Sequence, residues 1–353
     1  MHCIKSTRFD TIGGGSIYVT VVVGGFFGDE GKGKIVSYLA LKDNVDVGVR
    51  AGVGPNAGHT VYHQGKEFKL RQIPSSFVNK RARLLIPAGV LVNPKLLLEE
   101  IEATKCHRRL GIDAQAGIIE RHHIEYEEKS SHLTKKIGST KSGCGIANAE
   151  RALRKLKLAR EIPELKPYIV NVSAEVNDAI DAGKKILVEG TQGTFLSLYH
   201  GTYPFVTSKD TTAPACCADV GIGPTRVTDV IIVFKSYVTR VGEGPLPGEL
   251  PKDEAEKRGW VEVATVTGRM RRAAPFNFEL AKTAVRLNGA TQIALTKLDV
   301  LFPKAYNVRD CESLPKEAKA FIEDIESELK VPVTIISTGP YTKQVIDLRG
   351  EKL

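Results

Sequence analysis

The feature that most constrains the fold is an apolar strand, a glycine-rich turn and a helix start in direct succession, VVVGGFFGDEGKGKIV, from Val21 to Val36. Glycines let backbone N–H groups close on phosphate oxygens where a helix begins, and Lys32 adds a positive charge there. The stretch therefore predicts a phosphate cradle. It departs from the spacing GxxxxGK[ST], because Gly33 stands where a Mg²⁺-binding hydroxyl is expected. A plain glycine-rich turn is the alternative interpretation.

Beyond this stretch, runs of β-branched residues alternate with helical periodicity, which is typical of a largely parallel sheet with helices on both faces. A hairpin is predicted around the turn Gln64-Gly65. We expect one α/β unit over residues 17–353 after a disordered extension over residues 1–16. Strands are predicted at Ile17 to Gly24, Val45 to Arg50, Leu84 to Pro87, Lys185 to Glu189, Val227 to Lys235, Thr291 to Leu295 and Val333 to Ile336. Helices are predicted from Lys32, from Pro94, at Ile124 to Lys136, at Ile146 to Ala159, at Phe276 to Leu287 and at Pro315 to Leu329.

Composition narrows the class of protein. The 353 residues carry a formal net charge of +9, which suits an anionic partner such as a nucleotide, nucleic acid or an acidic surface. Binding to nucleic acid is disfavoured because aromatic residues are not interleaved with the basic ones. No apolar run is long enough to span a membrane. The six cysteines show neither CxxC nor a metal-ligand spacing, so we expect reduced thiols and a cytoplasmic protein.

A second motif, ALTKLDVL from Ala294 to Leu301, again follows an apolar strand. A Thr-Lys-x-Asp set in this setting resembles the guanine-reading element of GTP-binding proteins. The Asp299 carboxylate would accept from the ring N1–H and the exocyclic amine of guanine, and adenine offers no such pair of donors. The motif therefore favours GTP over ATP, with an ordinary surface turn as the alternative.

Two more segments carry candidate chemistry. GPNAGHTV, from Gly54 to Val61, holds His59 between glycines at the entry to the hairpin, where its ring could donate a proton or could simply cap the hairpin. TVTGRMRR, from Thr265 to Arg272, offers three arginines and several hydroxyls for a carboxylate or a phosphate. A contact with nucleic acid is the rival interpretation of this second segment.

In this order, the four elements resemble the adenylosuccinate synthetases. The opening motif of that family stands complete at Gly28 to Lys34, and its Asn-Ala-Gly-His-Thr stands at Asn56 to Thr60. Further matching blocks are EGTQGTFL (Glu189 to Leu196), HGTYPFVTS (His200 to Ser208), TRVGEGPLPGEL (Thr239 to Leu250) and ISTGP (Ile336 to Pro340). The resemblance implies a P-loop GTPase-like fold with loop or subdomain insertions, and a homodimer.

The implied reaction is the GTP-dependent ligation of L-aspartate to IMP through 6-phosphoryl-IMP, giving adenylosuccinate, GDP and phosphate. It is the first committed step from IMP to AMP. The resemblance makes Asp29 the base that takes the N1 proton of IMP and His59 the acid that faces phosphoryl transfer to O6. Lys32 would neutralise charge on the moving phosphoryl group. Asp29 and the carbonyl of Gly58 would hold Mg²⁺.

The resemblance also assigns the substrates of the site. GTP is expected on Gly28, Glu30, Gly31, Lys32, Gly33, Lys34, Gly58, His59, Thr60, Arg271, Lys297, Leu298, Asp299, Ser337, Thr338 and Gly339. IMP is expected on Asp29, Asn56, Ala57, Gly58, His59, Thr140, Gln192, Thr207 and Arg269, and on Arg154 from the neighbouring subunit. Aspartate is expected on Thr265, Val266, Thr267, Gly268, Arg269, Met270 and Arg271.

The chain departs from the family pattern in two places. GSTKSGCG, from Gly138 to Gly145, has Lys141 and Ser142 where the family has glycine and arginine. The chain is also short, like the compact archaeal members. A GTP-binding regulatory protein without catalysis is the alternative on the same fold, and the intact Asp29 and His59 speak against it. Glu30 has no implied chemistry beyond favourable charge at a helix N-terminus.

Overall fold

Strands and helices alternate along the chain in the computed structural model, which describes residues 17–263 and 268–353. The expected extension over residues 1–16 lies outside these ranges. The strands are β1 (Tyr18–Gly24), β2 (Val47–Arg50), β3 (His59–His63), β4 (Lys66–Leu70), β5 (Arg83–Ile86), β6 (Leu91–Val92), β7 (Leu110–Asp113), β8 (Gly117–Ile118), β9 (Ile169–Val170), β10 (Lys185–Glu189), β11 (Asp229–Lys235), β12 (Tyr237–Arg240), β13 (Arg272–Pro275), β14 (Gln292–Thr296), β15 (Val333–Ser337) and β16 (Val345–Asp347). The α-helices are α1 (Lys32–Lys42), α2 (Pro94–Thr104), α3 (Arg121–Lys129), α4 (Cys144–Ala152), α5 (Val172–Asp181), α6 (Ala213–Val220), α7 (Lys252–Lys257), α8 (Phe278–Asn288), α9 (Leu298–Leu301), α10 (Lys316–Leu329) and α11 (Arg349–Lys352).

One large sheet organises the molecule. Within the described residues it has ten strands in the order β16-β15-β14-β11-β1-β10-β2-β5-β7-β9. Neighbouring strands are parallel except β15 and β16, which are antiparallel. Val21 and Val23 of β1 pack into one hydrophobic cluster and Val22 packs into another. Since successive side chains of a strand point to opposite faces, both faces of the sheet are covered, which confirms the expected α/β class.

All seven predicted strands are present, with ends that differ by a few residues. The hairpin is also confirmed: β3 and β4 pair through His63 and Lys66, around a turn in which Gln64 and Gly65 have φ of 50° and 75°. Positive φ at both turn residues matches the twist of the flanking strands. Within the described residues, no helix combines the length and the apolar character needed to cross a membrane.

Two predicted helices are wrong in extent. The helix predicted over Ile124 to Lys136 stops at Lys129, and a separate π-helical turn covers His132–Ile137. The helix predicted over Ile146 to Ala159 is α4, which ends at Ala152; Arg154 soon after it has φ of 60°. Local periodicity did not mark these ends because no glycine or proline stands at either one. The short strands β7 and β9 and the helices α5 and α6 were missed.

The carboxyl ends of the parallel strands meet along one edge of the sheet. Polar residues end these otherwise apolar strands: Arg50 ends β2, Glu189 ends β10, Lys235 ends β11, Thr296 ends β14 and Ser337 ends β15. β1 lies between β10 and β11 and delivers the glycine-rich turn to the same edge. Ligands of open α/β sheets bind outside this edge, so the candidate site is expected there.

Candidate functional site

The glycine-rich turn between β1 and α1 is braced by Glu30. Gly28 and Gly31 have φ of 89° and 87°, so the chain turns sharply before the helix. The Glu30 carboxylate is 1% exposed and lies inside this turn. It accepts the N–H groups of Phe26 at 3.0 Å and Gly28 at 2.8 Å, and it accepts Lys32 Nζ at 2.8 Å. Glu30 was expected among the GTP contacts; its side chain instead fixes the shape of the turn.

Lys32 stands at the start of α1 and lines the cleft. Besides Glu30, its ammonium donates to the carbonyl of Gln192. This second bond ties the turn to the segment after β10, which carries expected IMP contacts. The positive charge of Lys32 is therefore held where the turn, the helix N-terminus and the cleft meet.

Asp29 sits in the turn with φ of 61°, a left-handed conformation that is uncommon for a residue with a Cβ. Its side chain is 27% exposed and lines the cleft. Asp29 Oδ2 lies 2.9 Å from Arg271 Nε in an ion pair that lacks the alignment of a hydrogen bond. The carboxylate and the guanidinium therefore face each other at the cleft.

A largely buried carboxylate that the sequence did not reveal, Glu262, holds Arg271 from the other side. It accepts hydrogen bonds from Arg271 Nη1, from the Tyr237 hydroxyl and, at 3.0 Å, from Lys235 Nζ. Lys297 Nζ lies 3.6 Å away. Burial opposes the ionisation of Glu262, but Lys235, Lys297 and Arg271 outweigh it and hold its pKa below the ordinary value. Glu262 thereby links the aspartate segment to the guanine segment.

His59 occupies a buried polar cluster at the ends of β2 and β10. Its Nδ1 contacts the Glu189 carboxylate and lies 2.5 Å from Arg50 Nη1. The N–H and the hydroxyl of Ser75 each donate to Glu189 at 2.6 Å. Burial and the charge of Arg50 together lower the pKa of His59 to about 4, although Glu189 opposes the decrease. The ring is therefore neutral at pH 7, and Nε2 is the nitrogen that Glu189 and Arg50 do not contact.

Glu189 is the charged partner that keeps this cluster together. Burial opposes its ionisation, but Arg50 and the hydrogen bonds from His59 and Ser75 hold its pKa at about 2. Glu189 belongs to one of the sequence blocks matched to the family, but no role was expected for it. The available signal was its position, since a carboxylate that ends a buried parallel strand faces the ligand edge of the sheet.

Apart from Arg154, the residues expected on IMP all line one cleft. Asn56 Nδ2 donates to Thr207 Oγ1 at 3.1 Å, and Gln192 Nε2 donates to Asn56 Oδ1 at 3.0 Å. Thr140 lines the same cleft, with its hydroxyl 3.0 Å from that of Ser142. These groups come from four separate segments of the chain. Their amides and hydroxyls can both donate and accept, which suits the mixed edge of a purine and the hydroxyls of a ribose.

On the guanine side, Lys297 precedes α9 with φ of 60°, and its carbonyl accepts Ser236 Oγ at 2.7 Å. Burial raises the pKa of Asp299, while Lys297 and Lys34 oppose the rise. Leu298 is fully buried in the core, so its expected contact with GTP is restricted to the backbone.

The aspartate segment is described in part. Arg269 lines the cleft and donates from Nη2 to the carbonyl of Gly138 at 2.9 Å. Met270 is half exposed and forms an isolated β-bridge with Val263. Thr265, Val266 and Thr267, all expected to bind aspartate, lie outside the described residues.

A cleft with a cavity volume of about 510 Å³ collects most of the expected residues. Those that line it are Gly28, Asp29, Gly31, Lys32, Gly33, Asn56, Ala57, Gly58, His59, Thr60, Thr140, Gln192, Thr207, Arg269, Arg271 and Lys297. Among the residues that the structure describes, those that do not line it are Glu30, Lys34, Arg154, Gly268, Met270, Leu298, Asp299, Ser337, Thr338 and Gly339. Arg154 is exposed and lies away from the cleft of its own chain.

The oxygen donors present in the cleft are suitable for the expected Mg²⁺. Asp29 presents a hard carboxylate oxygen to the cleft, and Gly58 lies on the same wall. Mg²⁺ is usually held by one or two carboxylates together with water and substrate phosphates, so this sparse oxygen set beside a phosphate cradle is suitable.

A second cluster of possible metal ligands, His122, His123 and Glu150, lies where α3 meets α4. His123 is fully buried. Its Nδ1 accepts the N–H of Glu120 at 2.9 Å, so a neutral ring carries its proton on Nε2, which lies 3.0 Å from Glu150. That proton occupies the position a metal would need. The cluster therefore joins the two helices through hydrogen bonds.

Comparison with known proteins identifies the relatives of this chain. A family model described as adenylosuccinate synthetase matches residues 21–162 and 155–305. The adenylosuccinate synthetase of Archaeoglobus fulgidus is 56% identical over 334 residues, which cover 95% of this chain and 99% of that protein. The Methanocaldococcus jannaschii protein of the same name is 56% identical over 335 residues, covering 94% and 97%. A fully ligated adenylosuccinate synthetase from Plasmodium falciparum superposes with a TM-score of 0.86 at 26% identity, covering 93% of this chain and 99% of that one.

Proposed function

Because the chain belongs to the adenylosuccinate synthetase family, we propose that the cleft described above ligates L-aspartate to IMP with cleavage of GTP. The products are adenylosuccinate, GDP and phosphate, in purine biosynthesis. The observation that carries the assignment is the meeting of Asp29, His59 and Lys32 with the Asn56–Gln192–Thr207 network on one cleft. Phosphate chemistry and purine recognition are thereby brought together.

Asp29 is the base in this proposal. Its carboxylate takes the N1 proton of IMP, which makes O6 a nucleophile toward the γ-phosphorus of GTP. The ion pair with Arg271 holds the carboxylate in place at the cleft. Phosphorylation then turns O6 into a good leaving group, which the amine of aspartate displaces.

His59 and Lys32 act on the phosphoryl group. His59 Nδ1 donates to the Glu189 carboxylate, so Nε2 donates to the transferring oxygens once the ring takes up a second proton, which the negative charge of the bound phosphates favours. Lys32 and the amides of the turn supply fixed positive charge beside them. Asp29 and the carbonyl of Gly58 would hold Mg²⁺, which neutralises phosphate charge when bound.

The carboxylates of aspartate are received by the segment that includes Arg269 and Arg271. Guanidinium groups bind carboxylates through two parallel hydrogen bonds, which fixes the position of the amine. Because Arg271 also contacts Asp29, the aspartate site adjoins the base directly.

A homodimer completes the site in this proposal. Arg154 is exposed beyond the end of α4 and lies away from the cleft of its own chain, as expected of a residue that reaches the IMP phosphate of a neighbouring subunit. Sedimentation should give a dimer, and Arg154→Ala should raise the KM for IMP. An active monomer would contradict this part. The cytoplasmic location expected from the cysteines is also part of the proposal.

The decisive experiment mixes the purified protein with IMP, aspartate, GTP and Mg²⁺ and follows the absorbance of adenylosuccinate. We expect product with GTP, and far less with ATP because of Asp299. GTP binding without product over a range of pH and temperature would contradict the ligase and favour the GTP-binding regulatory protein.

A further inference from the structure

Lys34, in the first turn of α1, points away from the phosphate cradle. Its ammonium donates to Ser337 Oγ at 2.6 Å, to the carbonyl of Gln344 at 2.8 Å and to the carbonyl of Gly339. An ammonium has three N–H donors. All of them are therefore committed to one segment, residues 337–344, which we call the β15 loop because it begins at the last residue of that strand.

Burying the Lys34 ammonium without a counter-charge costs free energy, which indicates that its position is important to the protein. Lys34 is buried and forms no ion pair with any residue in the ranges 17–263 and 268–353. Burial, with smaller contributions from Arg309 and Lys297, lowers its pKa to about 7, although Asp299 opposes the decrease. A buried ammonium surrounded by neutral oxygens is tolerated when every donor is satisfied. The three acceptors meet that condition here.

The β15 loop is anchored on its other side as well. The Thr338 hydroxyl donates to the carbonyl of Val308 at 2.8 Å, and the carbonyl of Thr338 accepts the N–H of Asn307 at 2.7 Å. The loop closes on itself where Thr338 N donates to the carbonyl of Gln344 at 3.0 Å. Lys34 thus connects this loop to the helix that begins at the phosphate cradle.

We propose that Lys34 is a positioning residue that holds the β15 loop at a fixed distance from the phosphate cradle, and that it thereby sets the affinity and selectivity for the guanine base without touching the phosphates. The inference rests on the GTP site proposed above, in which Ser337 to Gly339 adjoin guanine. A ligand that spans both the cradle and the loop depends on their spacing, whereas a ligand that occupies the cradle alone does not.

The test compares nucleotides with a ligand that has no base. In Lys34→Met, calorimetry with Mg²⁺ should show the Kd for GTP and for GDP raised by about 10-fold or more, the size of effect of a lost charged hydrogen-bond set. Inorganic tripolyphosphate, measured as a competitor of GDP, should bind within about twofold of its wild-type affinity. Lys42→Met is the matched control, because Lys42 is an exposed lysine at the other end of the same helix.

Steady-state kinetics supply a readout that a merely structural role would not move. The KM for GTP should rise in Lys34→Met while the KM values for IMP and aspartate stay near wild type. The preference for GTP over ITP, which lacks the exocyclic amine, should shrink. Ser337→Ala is the alternative variant if Lys34→Met fails to fold. It removes one acceptor without changing charge, and it should change the same quantities in the same direction, but more weakly.

Three results for Lys34→Met would overturn the inference. Equal losses of affinity for tripolyphosphate and GTP would make Lys34 a phosphate ligand. An unchanged affinity for GTP, or an unchanged preference for GTP over ITP, would show that Lys34 does not position the loop. Failure of the proposed function looks different. In that case the wild-type protein binds GTP and forms no adenylosuccinate, and the binding comparison still decides the role of Lys34.

Discussion

Arg271 Nε lies 2.9 Å from Asp29 Oδ2, so the expected base and an expected aspartate receptor form one ion pair. Glu262 accepts the opposite side of the same guanidinium. If aspartate binds Arg271 as proposed, its carboxylate would change the charge that Asp29 experiences. The residues of two substrate sites are coupled through a single side chain.

Substitution of Glu262 tests this coupling. In Glu262→Gln, Lys235 and Arg271 lose their buried counter-charge, so Arg271 should be misplaced. We expect kcat/KM for aspartate to fall on the order of 100-fold, since leaving a buried charge unpaired costs about 2–5 kcal/mol. The control is Glu249→Gln, an exposed carboxylate whose partner Arg272 adjoins Arg271 in the chain. Equal, small effects of the two substitutions would show that Glu262 does not position Arg271.

Substitution of Asp29 separates chemistry from binding. Asp29→Asn removes the base and a proposed metal ligand but leaves the backbone cradle and Lys32 in place. Turnover should fall by about 1,000-fold or more, while calorimetry should show GTP bound nearly as in the wild type. Asp253→Asn, at an exposed position on α7, is the control. Near-normal turnover of Asp29→Asn would make the base assignment wrong.

The buried His59 predicts how stability depends on pH. Its pKa is about 4 in the folded protein and about 6.5 when unfolded, so the unfolded chain binds the extra proton between these values. The free energy of unfolding should therefore rise from pH 4 to pH 6.5, with a contribution of about 3 kcal/mol from this group. Urea unfolding at several pH values should show a flatter profile for His59→Asn than for the exposed-site control His107→Asn. Parallel profiles would contradict a buried neutral ring.

Guanine selection is predicted to depend on Asp299. In Asp299→Asn the amide cannot accept from both N1–H and the exocyclic amine, so the ratio of kcat/KM for GTP over ITP should fall by about 10-fold or more. Asp310→Asn, at an exposed position outside the cleft, should keep the wild-type ratio. An unchanged ratio in Asp299→Asn would exclude a direct role in reading the base.

The strands that build the site could be predicted from the sequence because each buried strand is itself a run of apolar residues. Val21 to Gly24 is apolar whatever surrounds it, and the glycines after it specify positive φ locally. The same holds for the hairpin at Gln64-Gly65. The end of α3 at Lys129 was not predictable in this way, because the conformation of the next residues depends on how the 130–143 segment lines the cleft.

The order of the motifs and the α/β class were determined by the sequence alone, and so was a set of site residues of which 16 line the cleft. The tertiary structure decided where charged side chains point. In the sequence, Glu30 is a carboxylate in a predicted phosphate cradle; in the structure, its side chain accepts hydrogen bonds from Gly28 and Lys32 inside the turn. Lys34 looked like a phosphate ligand and reaches the β15 loop, about three hundred residues away along the chain. The physical reason is that backbone conformation follows local residue types, whereas the partner of a buried charge is set by which strand ends the fold brings together.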